Sequence, residues 1–335
     1  MWIPRKLSCC AALLAGVLAA APAAAAPAQA TVKIGWATAD SQSDPYAITA
    51  HYFAEELEKA APGRYKVQFF GNHQLGDETQ MLQGLQLGTL EFGVFTGTYV
   101  GNIVPAFQLN DLPFLYADNK QAHAVLDGKA GELMTAQLAG KGLVGLGFAE
   151  AGFRHVINNK RPVAKPEDIG GIRLRVQPSD IFLDSFRALG ANPVPMSWSD
   201  VFTAVQQGTI DGLEIPLAVI YANKYPEVTK YLSLTRHTYN ALSLLASAQT
   251  WKRLDPEAQQ AIRQAARKAV ERQRETVAAN DTTMLENLKA AGMQVNDVAD
   301  PAAFRERAAK IYDQYRKSIG AEVLDAALEQ VKASR

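Results

Sequence analysis

Two stretches of the sequence repeat one another at a separation of 120 residues. Residues 81–95 align with residues 201–215, and in both an apolar helical segment ends in Gln-x-Gly-Thr before an aliphatic residue, an acid and a strand-like run. Gly88 and Gly208 suit the left-handed conformation that closes a helix. The match is either a coincidence of turn chemistry or the mark of two related α/β lobes. Related lobes would turn the carboxyl ends of their strands toward a common cleft, where open α/β sheets bind ligands.

The order of the predicted elements indicates the kind of sheet. Short links join a strand at 31–37, a helix at 45–61, a strand at 65–70, a helix at 77–87 and a strand at 90–96. This β-α-β-α-β order is typical of a parallel sheet covered by helices.

The rest of the chain continues as α/β. The further predictions are a helix at 119–140, strands at 143–148, 154–159 and 172–176, a helix at 181–189, an edge strand at 192–196, a helix at 201–207 capped by Ser199, a strand at 210–215, a helix at 217–225, a strand-like run at 231–248 and a helix at 304–331.

One predicted helix is unusually long. It begins near Asp255 and runs to about residue 291, rich in Ala, Gln, Arg and Glu. At 1.5 Å per residue this is about 50 Å, longer than one domain of this size. We therefore expect it to span two domains as a strut.

The first thirty residues are predicted to be a cleaved secretory signal. A basic start precedes an apolar run at about 7–21, and residues 28–30 (AQA) match a cleavage site. The run is short for a membrane span, which needs about 20 residues, and an uncleaved anchor is the alternative. Both cysteines, Cys9 and Cys10, lie in this segment. The mature chain would have no disulfide or thiolate chemistry, which fits a bacterial periplasm.

The overall charge argues against a nucleic-acid partner. The chain has 34 basic and 34 acidic residues, and two of the basic ones lie in the predicted signal. Nucleic-acid binding requires a clustered basic excess, so we expect none.

A search for catalytic chemistry finds no motif. The chain has no His-Glu-x-x-His, Gly-x-Ser-x-Gly or Walker sequence, and its five histidines are scattered. Gly145-x-Gly147 begins a dinucleotide fingerprint, but Glu150 occupies the third glycine position. We expect no cofactor, no metal and no enzymatic activity, and a periplasmic α/β enzyme acting on a small organic acid is the alternative.

A short predicted strand, 172–176, carries two arginines on one face. Side chains alternate along a strand, so Arg173 and Arg175 point to the side opposite the aliphatic residues. A guanidinium can bind a carboxylate through two parallel hydrogen bonds. The pattern by itself leaves open an anion site, a solvated face or a structural ion pair.

Several segments together resemble one protein family, the periplasmic solute-binding subunits of TRAP (tripartite ATP-independent periplasmic) transporters, or DctP-like proteins. The run 189–196 and the Gln-x-Gly-x-x-Asp-Gly that follows it at 206–212 are specific to that family. The matching segments are residues 71–76, 81–91, 111–114, 152–155, 166–176, 188–196 and 205–212, and they cover nearly all of the chain after residue 30.

The resemblance implies an α/β fold of two lobes that close on a small organic acid, with a cleft between them and the long helix spanning both. It implies a mostly monomeric periplasmic protein that delivers the acid to TRAP permease membrane subunits driven by a sodium gradient. A sensor that feeds a signalling partner is the alternative. We expect lobe I to contain residues 31–150 and about 241–280, and lobe II residues 151–240 and about 300–335.

The resemblance also implies site residues. The carboxylate-binding arginine of the family falls on Arg175, and Arg173 then becomes a solvated neighbour. The remaining candidates are a second cleft arginine at Arg154, an aromatic residue at Trp198, a polar residue at Thr96, and Asn240 and His237 near the crossing between the lobes.

The sequence departs from the family at Ile215, where an Asn usually contacts the carboxylate. A C4-dicarboxylate is therefore not expected. One carboxylate bound by Arg175, with a partly apolar remainder against Ile215 and Trp198, fits better. Glu214 and Glu150 would either accept a ligand hydroxyl or N–H, or be structural. These features indicate a hydroxy acid, a sugar acid or a cyclic amino acid such as pyroglutamate.

Overall fold

The structure is a computed structural model that describes residues 1–2 and 29–334. The predicted signal sequence, with both cysteines, lies almost entirely outside the described residues.

Ten strands occur in this part of the chain. They are β1 Ala30–Gly35, β2 Tyr65–Phe70, β3 Phe92–Thr96, β4 Leu143–Asn158, β5 Arg173–Val176, β6 Asn192–Pro195, β7 Gly212–Pro216, β8 Tyr231–Leu234, β9 Tyr239–Ser247 and β10 Gln294–Asp297.

Thirteen α-helices occur in the same described ranges. They are α1 Pro45–Ala60, α2 Glu78–Leu87, α3 Gly97–Gly101, α4 Asn119–Leu126, α5 Lys129–Ala136, α6 Asp180–Ala188, α7 Trp198–Gln206, α8 Leu217–Ala222, α9 Ala248–Arg253, α10 Pro256–Ala290, α11 Pro301–Ala308, α12 Lys310–Ile319 and α13 Ala321–Ala333.

The sheet contains the same three-strand unit twice. Its order is β2-β1-β3-β9-β4-β7-β5-β6, with β8 and β10 attached beside β4. Strand β1 is parallel to β2 and β3, and β5 is parallel to β6 and β7. Between the two units, the long strands β9 and β4 run antiparallel to each other and to their neighbours. We call the β2-β1-β3 side lobe I and the β7-β5-β6 side lobe II.

The repeated sequence motif forms the same turn in each lobe. Gly88 and Gly208 end helices α2 and α7 with φ of 74° and 69°. In lobe I, Thr89 N–H donates to Gly84 O at 2.9 Å, and in lobe II Thr209 N–H donates to Ala204 O at 2.9 Å. The equivalence extends to the bond geometry, which supports two related lobes and disfavours a coincidence.

The acid after each turn also has the same role. Glu91 accepts a hydrogen bond from Lys33 N–H at 2.8 Å, and Asp211 accepts one from Arg173 N–H at 2.9 Å. Each acid therefore ties the turn to the neighbouring strand, β1 or β5, of its own lobe.

Helix α10 is the predicted strut. Its 35 residues span about 52 Å at 1.5 Å per residue, and it contacts α1 of lobe I, the central strand β4 and α8 of lobe II. The prediction of a long helix that spans both lobes is confirmed.

Strand β4 corrects one prediction. The sequence pattern indicated two strands, 143–148 and 154–159, but a single strand runs from Leu143 to Asn158. The register shifts between Glu150 and Gly152, and Gly152 has a φ of 89°. The glycine lies in the predicted gap between the two strands, where it forms a bulge within one strand shared by both lobes.

Several helix boundaries also differ from prediction, and the predicted helix 304–331 is divided into α11, α12 and α13. The predicted helix 119–140 is divided into α4 and α5 at Gly128, where a Cβ would lie 2.7 Å from Ala124 O. The expected cap Ser199 is wrong, because α7 begins at Trp198 and Ser197 is its N-cap.

The C-terminal segment corrects part of the expected lobe division. Phe304 of α11 packs into a hydrophobic cluster of lobe II. Helix α13, in contrast, lies against α4 and α5 of lobe I, where Gln121 Nε2 donates to Val331 O at 2.8 Å and Gln330 Nε2 donates to Ala124 O at 3.1 Å. Residues 301–333 therefore return from lobe II to lobe I instead of staying in lobe II.

Candidate ligand-binding site

A cavity lies where the carboxyl ends of β1, β5 and β7 approach the central strands β4 and β9. Both lobes contribute to it. Its lining residues are Ala37, Thr38, Tyr46, Glu78, Arg154, Arg175, Gln177, Trp198, Ile215, Pro216, Val219 and Asn240.

Arg175 is a buried cation in this cavity. It is the third residue of β5, between β6 and β7, and only 1% of its surface is exposed. Its Nε and Nη2 donate to Met196 O at 2.9 and 2.7 Å, and the guanidinium lies 5.9 Å from the Trp198 ring centre. It forms no ion pair with any described residue. The guanidinium is thus held in one orientation while its charge is left for another partner.

Arg154, by contrast, already has a carboxylate partner. Its Nε and Nη2 both donate to the Glu214 carboxylate, and Nη1 donates to Asn240 Oδ1 at 3.0 Å. His237 Nε2 lies 3.1 Å from the same carboxylate. Burial by itself raises the pKa of Glu214, but Arg154 and the His237 hydrogen bond keep that pKa below its usual value. Arg154 therefore brings almost no net charge to the cavity.

Asn240 presents an unpaired donor. Its Oδ1 accepts from Arg154 and, at 3.0 Å, from Thr96 Oγ1. Its Nδ2 is buried and has no hydrogen-bond partner among the described residues. A buried donor left unpaired is unfavourable, so this amide is suited to an acceptor oxygen in the cavity.

Glu78 is a second buried carboxyl at the cavity. It is the first residue of α2, follows the N-cap Asp77, and is 4% exposed. Its Oε1 accepts the Thr96 N–H at 2.7 Å. Burial is the largest influence and raises the pKa of Glu78 to about 8, against the opposing effects of the Thr96 hydrogen bond and of Arg175.

The rest of the cavity wall is largely apolar. Ile215 on β7 is 2% exposed, Val219 follows on α8, and Trp198 begins α7 with its ring 5.6 Å from that of Tyr225. The lining thus combines a buried cation that has no ion-pair partner among the described residues with several apolar side chains.

Hydrogen bonds join the two lobes at one side of the cavity. Asn223, at the end of α8, accepts from Ala39 N–H at 3.1 Å and donates to Asp44 Oδ2 at 3.2 Å. Residues 39 and 44 belong to lobe I and residue 223 to lobe II. The lobes are thus in contact in this structure.

A second set of contacts joins the lobes at the opposite side. Thr98 Oγ1 lies 2.7 Å from both Asp111 Oδ1 and Gln177 Oε1, and Ser179 Oγ donates to Asp111 Oδ2 at 2.9 Å. Burial raises the pKa of Asp111 to about 7. Because the Thr98 hydroxyl has one hydrogen, a protonated Asp111 satisfies both contacts: it donates to Thr98, which then donates to Gln177.

Known proteins share this architecture. A profile of the family described as bacterial extracellular solute-binding protein, family 7 (DctP), matches residues 36–318. The chain belongs to this family. It is 34% identical over 299 residues to the 2,3-diketo-L-gulonate-binding periplasmic protein YiaO of Escherichia coli (strain K12), and the match covers 88% of this chain and 90% of YiaO.

Two solved structures are similar throughout. The sugar acid binding protein DctPAm of Advenella mimigardefordensis strain DPN7T, in complex with galactonate, has a TM-score of 0.88 and 33% identity, and the match covers 92% of this chain and 99% of that one. A TRAP periplasmic solute-binding protein of Polaromonas sp JS666 bound to D-erythronate has a TM-score of 0.86 and 36% identity over 90% of this chain and 98% of that one.

This protein is therefore a two-lobed TRAP periplasmic solute-binding protein, as its sequence segments indicated. The family consists of binding proteins and not enzymes, so the enzyme alternative is not supported. Within the described ranges, no helix is long and apolar enough to cross a membrane. The same part of the chain contains no group of three or more His, Cys, Asp or Glu placed to hold a metal ion.

The cavity of this solute-binding protein includes five of the nine expected site residues. They are Arg175, Arg154, Trp198, Ile215 and Asn240. Thr96 does not line the cavity, but its N–H donates to Glu78 and its hydroxyl donates to Asn240, and both of these residues do line it.

Three of the expected ligand contacts lie away from this cavity. Glu214 does not line the cavity, because Arg154 and His237 occupy its oxygens, and His237 acts on Glu214 instead of on the cavity. Glu150 is fully buried elsewhere, where Tyr239 OH donates to its carboxylate and His123 Nε2 lies 2.7 Å away. All three side chains are structural in this arrangement.

Sequence reasoning missed several lining residues, above all Glu78. Its only signal was its place in the first helical turn, where acids are common for helix stability. Its inward direction depends on the Thr96 N–H, which belongs to another strand. The other missed lining residues are Ala37, Thr38, Tyr46, Gln177, Pro216 and Val219.

Proposed function

We propose that this solute-binding protein captures a small monocarboxylate, a hydroxy acid or a sugar acid, and delivers it to the membrane subunits of a TRAP permease. The observation that carries the proposal is Arg175: a buried guanidinium, fixed by Met196 O, that faces the cavity and has no carboxylate partner among the described residues. A buried charge without a partner is costly. A ligand carboxylate supplies the missing charge.

The charge balance supports one carboxylate instead of two. Glu214 neutralises Arg154, so Arg175 is the uncompensated cation of the cavity lining. Ile215 lines the cavity, and its side chain offers no hydrogen bond to a second carboxylate. Pyroglutamate, a cyclic amino acid with one carboxylate, fits the same charge balance and belongs in the test panel.

Three of the relatives are named for acids of this class. Galactonate, D-erythronate and 2,3-diketo-L-gulonate, named for three of them, each have a single carboxylate on a short chain with several oxygens. The free Asn240 amide and the Glu78 carboxyl supply hydrogen bonds for such oxygens, while Trp198 covers an apolar part of the chain.

The experiment is a thermal-shift screen of the purified protein against organic acids, including these three, pyroglutamate and succinate, followed by calorimetry on the acids that stabilise it. Arg175→Ala should weaken binding on the order of tenfold to several hundredfold, because hydrogen bonds to charged groups contribute about 1.5–3 kcal/mol each. Arg173→Ala is the matched control. That side chain lies on the same strand but is half exposed and paired with Asp211. Equal effects of the two variants, or none from Arg175→Ala, would overturn the assignment.

Delivery to a permease has its own test. Membrane vesicles that contain the TRAP membrane subunits should accumulate a labelled acid only with this protein and a sodium gradient. Uptake without the protein would contradict the proposal.

We also infer that the protein reaches the periplasm with a signal that is cleaved after Ala30. Mass spectrometry of the periplasmic protein should give a mature chain that begins at Thr31. A chain that retains residues 1–30 would contradict this inference.

A further inference from the structure

Glu78 differs from the other buried carboxylate near the cavity. Glu214 has both oxygens occupied by Arg154 and His237. Glu78 is as deeply buried, yet it accepts one backbone N–H, from Thr96, and forms no ion pair with any described residue. Because the side chain lines the cavity, its second oxygen is available to a ligand.

The charged and titratable groups around Glu78 come from five elements. Arg175 on β5 and Arg154 on β4 favour its ionised form, and Asp77 beside it opposes that form. Tyr46 on α1 and Tyr99 on α3 also lie near it. Burial raises the pKa of both phenols, that of Tyr99 to about 12. Both phenols are therefore neutral at physiological pH.

Loss of hydration outweighs the groups that favour an ionised Glu78. The N-terminus of α2 attracts negative charge, but this effect is smaller than the cost of burying a carboxylate that is not paired directly with a cation. Burial accordingly raises the pKa of Glu78 to about 8. An anionic ligand in the same cavity would raise that pKa further, since a neighbouring negative charge favours the protonated form.

We propose that Glu78 is a neutral carboxylic acid in the ligand complex, that it donates its proton in a hydrogen bond to a ligand oxygen, and that it makes binding selective for monoanions. This inference rests on the proposed function of the site. The proton comes from solvent and remains on Glu78, so no covalent bond of the ligand changes.

Charge selectivity follows from this protonation state. With Glu78 neutral and Arg154 paired with Glu214, Arg175 contributes the single net charge, and one ligand carboxylate balances it. A dicarboxylate would leave one negative charge buried without a partner. If Glu78 ionises, the cavity is already neutral and the ligand anion becomes the uncompensated charge.

The test is calorimetry with galactonate, D-erythronate and 2,3-diketo-L-gulonate at about pH 6 and about pH 9, where all three acids stay ionised. Affinity should be at least about tenfold weaker at the higher pH, because binding that requires a proton weakens up to about tenfold per pH unit. At about pH 8, where about half of the free protein already carries the proton, binding heats in phosphate and Tris buffers should differ as expected for uptake of about half a proton.

Variants identify the group that takes up the proton. Glu78→Gln keeps a neutral hydrogen-bonding side chain and should remove both the pH dependence and the proton uptake. Asp111→Asn removes a buried acid outside the cavity lining, and Glu132→Gln removes an exposed one on α5. Both should leave the pH dependence in place.

A further readout needs no ligand. The infrared spectrum of the free protein at about pH 7 should contain protonated-carboxyl absorption from Glu78 and from Asp111, and Glu78→Gln should remove the Glu78 part, which Asp111→Asn should leave in place.

The outcomes separate the two proposals. If the acids bind equally well at both pH values without proton uptake, the neutral Glu78 is wrong and the ligand class stands. If Asp111→Asn removes the pH dependence and Glu78→Gln does not, the proton belongs to the lobe interface and the inference is overturned. If no acid of the screened panel binds at any pH, the proposed function itself fails.

Discussion

Ser197 Oγ lies 3.4 Å from Asp77 Oδ2, and the two residues are separated by 120 positions in the chain. Each is the N-cap of its helix, α7 and α2 respectively. Equivalent helix ends from the two lobes therefore meet at the cavity. The residue after each cap, Glu78 or Trp198, lines that cavity. The repeated unit thus places two N-terminal helix ends, which favour anions, around one ligand site.

The pair formed by Arg154 and Glu214 should be essential for stability. Glu214→Ala leaves a buried guanidinium without its partner, and breaking such a pair costs about 3–5 kcal/mol. Denaturant unfolding measures this change. Glu55→Ala, which breaks an exposed pair with Arg272, is the control and should cost at most about 1 kcal/mol. Similar losses for both variants would contradict the structural role of Glu214.

Ile215 should control the preference for a second polar group. Ile215→Asn places an amide in the cavity wall, so binding of succinate relative to galactonate should improve by about tenfold or more, as one hydrogen bond to a charged group allows. Ile215→Val keeps the wall apolar and should leave the ratio unchanged. Calorimetry of both acids on each variant gives the ratio, and an unchanged ratio in Ile215→Asn would place residue 215 away from the ligand.

Asp111 should make stability depend on pH. Its pKa of about 7 in the folded protein lies above the ordinary value near 3.9, so the folded state binds more protons between these values. Stability from this group is present below about pH 4 and decreases as the pH rises to about 7.

Asp111→Asn should remove this dependence. Its stability relative to the wild type should increase by up to about 1.4 kcal/mol per pH unit within that window. Unfolding curves at several pH values measure the difference. A constant difference would show that Asp111 stays ionised when folded.

The turn at residue 208 should require a glycine, because its φ of 69° lies in the left-handed region. No atom lies within 4 Å of an added Cβ, so Gly208→Ala tests backbone strain alone and should cost about 1–2 kcal/mol. Gly208→Asn should cost less, because Asn tolerates this conformation. Thermal unfolding of the two variants would contradict the interpretation if they were equally stable.

Local patterns predicted the elements that depend on nearby residues. The turns at Gly88 and Gly208, the edge position of β6 with its two prolines, and the length of α10 follow from backbone chemistry that acts over a few positions. The break in β4 was predicted wrongly because a glycine at a bulge has the same local signature as a glycine at a strand end.

The roles of side chains in the site also depend partly on nearby residues and partly on residues distant in the chain. Alternation placed Arg173 and Arg175 on one face, but their different partners, Asp211 and Met196 O, come from other strands and loops. Glu214 lies between two aliphatic residues in the sequence, and Glu78 lies in a polar helix start. Only the approach of Arg154 to one, and of the Thr96 N–H to the other, makes the first an ion-pair partner and the second a buried carboxyl facing the cavity.

The sequence by itself determined the repeated α/β unit, the long helix and the membership in a family of solute-binding proteins, because helix ends, strand alternation and glycine turns are written in neighbouring residues. The tertiary structure alone decided which charges are paired and which face the cavity. The physical reason is that hydration and hydrogen bonding depend on groups far apart in the chain. Thr96 and Asn240, 144 positions apart, meet on neighbouring strands, and Asp44 and Asn223, 179 positions apart, meet when the lobes pack together.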